Sequence, residues 1–267
     1  MKLLFSISLL FLLSEHIIAQ NEEVFWRFPK PKNGNTYVIA HRGAHNNIPE
    51  NTIAAYKKAI ELGCDFIEID VRKTKDGKFV SIHNSKINEY VEGISGNISE
   101  FTLCELKKIN IGKESEKERI PTLEEIFELC KGKIRIYLDL KETYINEIVD
   151  LVKKYKMEKD IIWYIPFSYV KEIEKLQEIC VDCIPMPDPE SKANLVELFE
   201  KLNPIIIATD MSHLDEEFVK ISHKKNIKVF VDEKIGNEFE WNKIIQLGTD
   251  GIQTDSPEKL VEFLNRN

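Results

Sequence analysis

Phe66-Ile67-Glu68-Ile69-Asp70-Val71 decides the fold. Aromatic and β-branched residues dominate the run, which has the length of a strand. Its apolar flanks mark it as buried, although both carboxylates facing solvent on an edge strand is the plainer alternative. Glu68 and Asp70 are two residues apart and so point to one face. Two carboxylates on one side of a buried strand repel and desolvate each other, and a divalent cation is a direct way to keep both ionised.

Similar runs recur on either side of it: Tyr37–Ala40, Phe79–His83, Ile134–Leu140, Ile161–Ile165, Ile205–Thr209, Lys228–Val231 and Gly251–Thr254, with a weaker one at Cys183–Met186. Helical patterns fall between them, at Asn51–Leu62, Leu123–Cys130, Ile145–Tyr155, Tyr169–Ile179, Lys192–Leu202, Glu216–His223, Glu240–Leu247 and Pro257–Asn265. Leu195, Leu198, Phe199 and Leu202 show the helical spacing on one face. This alternation predicts an α/β fold, a parallel sheet covered by helices. Nine strand candidates are one too many for an eight-stranded barrel: either Phe79–His83 extends a hairpin or the Cys183 segment is a loop. An open doubly wound sheet is the alternative, but no Gly-x-Gly-x-x-Gly loop follows the first strand. A single-domain (β/α)8 barrel is preferred.

The N-terminus reads as a signal peptide. Met1-Lys2 is followed by an apolar run from Leu3 to Leu13, with Ala19 as the expected last residue before cleavage. Residues 1–19 are therefore expected to be removed, and 20–267 to form the barrel domain of an exported protein, periplasmic or secreted. The apolar run is too short for a span of roughly 20 residues, so no stable membrane span is expected in the mature form. The remaining length of about 250 residues suits one α/β barrel. The formal net charge of −8 argues against a nucleic-acid partner and requires any anionic substrate to meet a local basic cluster. Of five cysteines, Cys180 and Cys183 form a lone Cys-x-x-Cys, compatible with a local disulfide or with two free thiols.

Barrel active sites form at the C-terminal strand ends, and the unusual polar residues fall there. The first strand meets His41-Arg42-Gly43, the third reaches His83-Asn84, and the fourth presents Asp139-Leu140-Lys141. A lone histidine is usually structural; two with three acids, an arginine and a lysine at four strand ends point to a site. A hard cation held by carboxylates acts as a Lewis acid on a phosphoryl group. Arg42 and Lys141 could neutralise the remaining phosphate charge, while His41 and His83 exchange acid and base roles. The reading is a phosphodiester-cleaving toolkit with no nucleophilic serine elbow and no His-Glu-x-x-His motif.

These residues resemble the glycerophosphodiester phosphodiesterase family. The resemblance rests on His41-Arg42-Gly43, Pro49-Glu50-Asn51-Thr52, the stretch Glu68 to Gly77, Val80-Ser81-Ile82-His83, Pro121 to Glu125, and the closing Gly251 to Pro257. It implies a TIM-type barrel hydrolysing glycerophosphodiesters to sn-glycerol 3-phosphate and an alcohol with Ca²⁺ or Mg²⁺. It also implies His41 and His83 as the acid/base pair, Glu68, Asp70 and Asp139 as metal ligands, and Arg42 and Lys141 on the phosphate. In some relatives the second histidine sits at or beside the metal, so His83 could also be a ligand. Glu50 either reaches the pocket or caps the helix near Asn51. A related phosphodiesterase of lysophospholipase D type and a barrel that only binds phosphorylated ligands are the alternatives. Three departures bear on metal and substrate: Asn84 replaces the usual acid after the second histidine, the fourth-strand acid is the shorter Asp139, and Val231-Asp232-Glu233 stands where a Trp-Thr segment is common.

Other conspicuous residues receive structural readings. Asp76-Gly77 reads as a turn, His45, His213 and His223 as solvent-facing, and Asp255 as fixing the turn into the last helix. Trp163 and Tyr164 are divided between core and pocket. The segment between His83 and Pro121 is too short for a sizeable inserted subdomain.

Overall fold

The structure, a computed structural model, describes residues 28–113 and 117–266. The expected signal peptide, residues 1–19, lies outside the described residues. All elements below lie within the unit Pro31–Asn267.

Eight parallel strands line the barrel: β1 (Tyr37–Ala40), β2 (Phe66–Lys73), β4 (Arg135–Leu140), β5 (Ile161–Pro166), β6 (Ile184–Asp188), β7 (Ile206–Asp210), β8 (Lys228–Asp232) and β9 (Gly251–Thr254). The ladder runs β6-β5-β4-β2-β1-β9-β8-β7, and its two end strands stand side by side, nearly closing the ring. The remaining strand, β3 (Phe79–Ser81), pairs antiparallel with β2. Both sequence options for the ninth strand are thereby decided: Phe79 begins a hairpin arm, and the weak Cys183 segment contributes β6. Asp76-Gly77 forms the hairpin turn, with Gly77 at φ 77° and the Gly77 N–H donating to the Thr74 carbonyl at 3.0 Å.

Helices cover the outside: α1 (Ile53–Glu61), α2 (Leu103–Leu106), α3 (Leu123–Cys130), α4 (Ile145–Tyr155), α5 (Val170–Ile179), α6 (Leu195–Leu202), α7 (Glu216–His223), α8 (Glu238–Gln246) and α9 (Pro257–Arg266). Their apolar faces bury Ile126 and Phe127, Ile148 and Val152, and Leu198 against strand residues such as Ile67, Ile136 and Ile207. Each such side chain contributes about 1.5–3 kcal/mol when fully buried. Inside the barrel, Tyr37, Phe66 and Phe230 plug the N-terminal end with ring centroids 5.5–6.1 Å apart. Side chains thus fill that end, and the open end is left for chemistry. Val80 of β3 and residues between β3 and α3, Ile82, Ile87, Ile98, Leu106, Ile109 and Ile120, gather into a second, smaller core. Cys180 and Cys183 are joined by a disulfide with Cα atoms 5.3 Å apart.

Candidate active site

The site is built around register. Asp70 on β2 is the direct partner of Asp139 on β4, and Glu68 lies two residues before Asp70 on the same face. Ligand atoms of Glu68, Asp70 and Asp139 all fall within 4.8 Å of one another, while Glu68 and Asp70 are only 2% and 1% exposed. The edge-strand alternative is excluded, because β2 has β1 and β4 on either side.

Burial, with the neighbouring Asp70 and Asp139 charges, pushes the Glu68 carboxyl well above the usual range. Burial also raises Asp139, against the pull of Lys141. For Asp70 burial acts upward too, but Lys141 and Asn51 hold its carboxyl below the usual range. The Lys141 ammonium reaches Asp70 at 2.9 Å and Asp139 at 2.5 Å. Burial opposes its charge, and the two aspartates keep its pKa above the lysine range. One ammonium among three carboxylates leaves net negative charge in a desolvated place. An all-oxygen donor set of this kind fits a hard divalent cation.

Positioning falls to the turn after β1. Arg42 has φ 53° and Gly43 φ 84°, left-handed backbone of the kind held at functional sites when surroundings enforce it. The turn aims the Arg42 N–H at Glu68 Oε2, 2.8 Å away, and its guanidinium at Glu50, 2.9 Å, and Asp70, 3.5 Å. Glu50 thus braces Arg42 and is not among the residues lining the cleft; the helix cap is Thr52, whose side chain accepts from the Ala55 N–H. Asn51, which sequence reasoning gave no role, is 1% exposed. Its amide donates to Asp70 Oδ2 at 2.7 Å, and its oxygen accepts from Tyr56 and Ser81 hydroxyls at 2.9 and 2.8 Å.

Both histidines stand at the cleft with their Nδ1 atoms engaged. His41 Nδ1 lies 2.7 Å from Asp255 Oδ1, and its Nε2 is 3.9 Å from Glu68. His83 Nδ1 lies 2.7 Å from Asn84 Oδ1, and the Arg72 side chain grips the His83 carbonyl at 2.8 and 2.5 Å. Two sequence readings are corrected here. His45 is not simply solvent-facing: its Nε2 is 3.1 Å from the same Asp255 oxygen. Asp255 does more than fix a turn, since bonding first to His41 and then to His45 holds its carboxyl far below the usual range. A separation of 214 residues between the partners concealed this contact.

His41, Arg42, Glu68, His83, Asp139 and Lys141 share one cleft of about 280 Å³. Tyr164 also lines it, stacked on Tyr137 at 5.9 Å, whereas Trp163 is wholly in the core. His213 and His223 instead pair with Asp210 at 3.5 Å and Asp250 at 2.9 Å.

Residues 41–175 match the model of the glycerophosphoryl diester phosphodiesterase family. The chain is 35% identical over 251 residues to the glycerophosphodiester phosphodiesterase of Caldanaerobacter subterraneus subsp. tengcongensis, covering 86% of this chain and 98% of that one. The chain belongs to the glycerophosphoryl diester phosphodiesterase family. Further from it, the lysophospholipase D GDPD1 of Mus musculus is 27% identical over 271 residues, 85% of each chain. Among solved structures, an Oleispira antarctica phosphodiesterase in complex with the product sn-glycerol-3-phosphate superposes with a TM-score of 0.78 at 25% identity, over 91% of this chain and 99% of that one. The TIM-type barrel expected from the family resemblance is thus the observed fold.

Proposed function

We propose that the protein hydrolyses glycerophosphodiesters to sn-glycerol 3-phosphate and an alcohol, in a reaction that depends on one divalent cation, Ca²⁺ or Mg²⁺. The observation that carries this reading is the convergence of Glu68, Asp70 and Asp139 beside Lys141, Arg42 and two histidines in one cleft. Glu68, Asp70 and Asp139 would hold the cation, which when bound supplies Lewis-acid polarisation of the phosphoryl oxygens.

The protein's own residues do the rest. Arg42 and Lys141 bind and orient the anionic phosphodiester. His41 and His83 divide the proton work: one takes the proton from the attacking hydroxyl, and the other returns a proton to the departing alcohol. For each, engagement of Nδ1 leaves Nε2 to do the transfer. The Asp255 carboxylate holds His41 in that orientation, as the Asn84 amide oxygen does for His83.

The apolar N-terminal run and the Cys180–Cys183 disulfide support export, since disulfides persist in oxidising compartments. On this reading the enzyme works outside the cytoplasm, periplasmic or secreted.

Purified protein incubated with glycerophosphocholine, glycerophosphoethanolamine, glycerophosphoinositol and a lysophospholipid, with Ca²⁺, Mg²⁺ or EDTA, tests the proposal. Glycerol phosphate should be released and EDTA should abolish the release. Undiminished release in EDTA would remove the metal from the reading; turnover of the lysophospholipid alone would move the activity to the lysophospholipase D type.

A further inference from the structure

The side of the barrel wall turned away from the cleft reaches the site by a route of its own. The Val231-Asp232-Glu233 stretch departs from the family pattern, and nothing in the proposed mechanism uses it. Asp232 ends β8, lines the cleft and pairs in register with Gln253, which lines it too. The next residues along, Glu233 and Thr254, therefore point to the opposite face. There the Thr254 hydroxyl donates to Glu233 Oε1, and the Trp241 indole N–H of α8 donates to Glu233 Oε2 at 3.0 Å. The Glu233 backbone is held as well. Its N–H donates to the Gln253 carbonyl at 3.1 Å. The Oε2 atom of Glu240, a residue 4% exposed, accepts from the N–H groups of Lys234, Ile235 and Gly236 at 3.2, 2.6 and 3.2 Å.

Thr254, 1% exposed, is the joint between this wall and the histidines. Its carbonyl accepts from the His41 N–H at 3.1 Å. Its hydroxyl oxygen, while donating to Glu233, accepts from the Ser256 N–H at 3.0 Å. Those bonds fix the backbone on either side of Asp255, which accepts from His41 and His45. The Asp255 side chain is itself 66% exposed, so packing does little to aim it, and its direction follows from the backbone that carries it. A threonine hydroxyl has one proton and rotates to suit its partners. The Glu233 acceptor commits that proton outward and leaves a lone pair facing the Ser256 N–H.

We propose that Glu233 is a positioning residue for the candidate acid/base histidine: through Thr254 it fixes the turn that carries Asp255, and through Asp255 the His41 ring. The consequence for catalysis rests on the phosphodiesterase reading above; the consequence for the ring does not. A misplacement of about 1 Å at a reacting group can cost on the order of a hundredfold in rate, so slack introduced at Glu233 is expected to show in kcat.

Glu233→Met keeps the length of the side chain and removes both acceptor oxygens. On the fastest of the glycerophosphodiesters named above, it should lower kcat about three- to tenfold with KM within about twofold. Combined with Asp255→Asn it should cost nothing further, because both changes loosen the same ring. Thr254→Val should reproduce the loss, and Thr254→Ser, which restores the hydroxyl, should recover most of it; this pair decides the matter if Glu233→Met does not fold. The Nδ1 proton resonance of His41, assigned by its absence from His41→Ala, gives a readout that needs no substrate. It should broaden or shift in Glu233→Met and in Thr254→Val. Undiminished kcat in Glu233→Met, losses that multiply in the double variant, or a resonance unmoved in both single variants would overturn the positioning role. No turnover of any diester by the unaltered protein would end the phosphodiesterase reading, and the resonance would then decide the inference alone.

Discussion

His41 is held in place by a residue that no local pattern connects to it. Asp255 accepts from His41 Nδ1 at 2.7 Å and fixes the ring so that Nε2 points toward Glu68 and the cleft. Replacing His41 with alanine should lower kcat by about 10²–10⁴, the range for a lost general acid or base, with the fold retained by circular dichroism. Asp255→Asn should lower kcat at least tenfold with KM little changed, because the amide no longer selects the ring tautomer. A change confined to KM would place Asp255 in binding instead. The Pro49-Glu50-Asn51-Thr52 block shows a similar division of labour. Glu50 holds Arg42, Asn51 holds Asp70, and Thr52 caps α1. The block was visible as a motif, but which member does what depends on where the turn aims each side chain.

At the scale of elements, the β1–α1 turn is the least forgiving part of the site. Gly43 sits at φ 84°, and a Cβ there would lie 2.8 Å from Ala55 Cβ and 2.9 Å from the Ala55 carbonyl carbon. Gly43→Ala should therefore cost about 2–4 kcal/mol, combining left-handed strain with overpacking, read as a lowered denaturation midpoint at unchanged m. It should also lower activity, since the turn aims both His41 and Arg42. The connection from β8 to α8 carries a titrating group. Burial raises Glu233 to about 7, although Thr254 and Trp241 donate to its carboxylate. Its folded pKa lies above the unfolded value, so its stabilising contribution is complete below about pH 4.5 and is lost as pH rises through the folded value near 7. Relative to Glu233→Gln, the unaltered protein should lose melting temperature across that window. A gap between the two proteins that does not vary with pH would show that Glu233 titrates as it does in the unfolded chain.

For the molecule as a whole, the proposed cation site at the carboxylate cluster would couple stability to metal. Without a cation, Glu68 is buried beside two other acids, and its charge is opposed by desolvation and repulsion. Added Mg²⁺ or Ca²⁺ should raise the melting temperature, by the equivalent of about 2.7 kcal/mol at a hundredfold excess over Kd. Glu68→Gln should melt higher than the unaltered protein in EDTA and gain much less from the metal. An equal gain in both would exclude Glu68 as a ligand. The acidic surface, with formal net charge −8, gives long-range repulsion to an anionic substrate. On the proposed reading, capture falls to Arg42 and Lys141 inside the cleft and should weaken only modestly as salt increases.

The alternation of strand and helix patterns determined the α/β barrel, and the polar residues at strand ends determined which face carries the chemistry. Both are periodic or local properties, set by backbone geometry and by the direction in which successive side chains point. Phe66 to Val71 was legible for the same reason: a six-residue apolar strand with two acids on one face has few other readings. The tertiary structure alone decided the fate of the two doubtful strand candidates, the pairing of Asp70 with Asp139, and the sharing of Asp255 by His41 and His45. Those features depend on register between strands and on closure of the ring. Register is a relation between segments far apart in the chain, fixed by the packing of the whole barrel, and the residues of one segment carry no record of it.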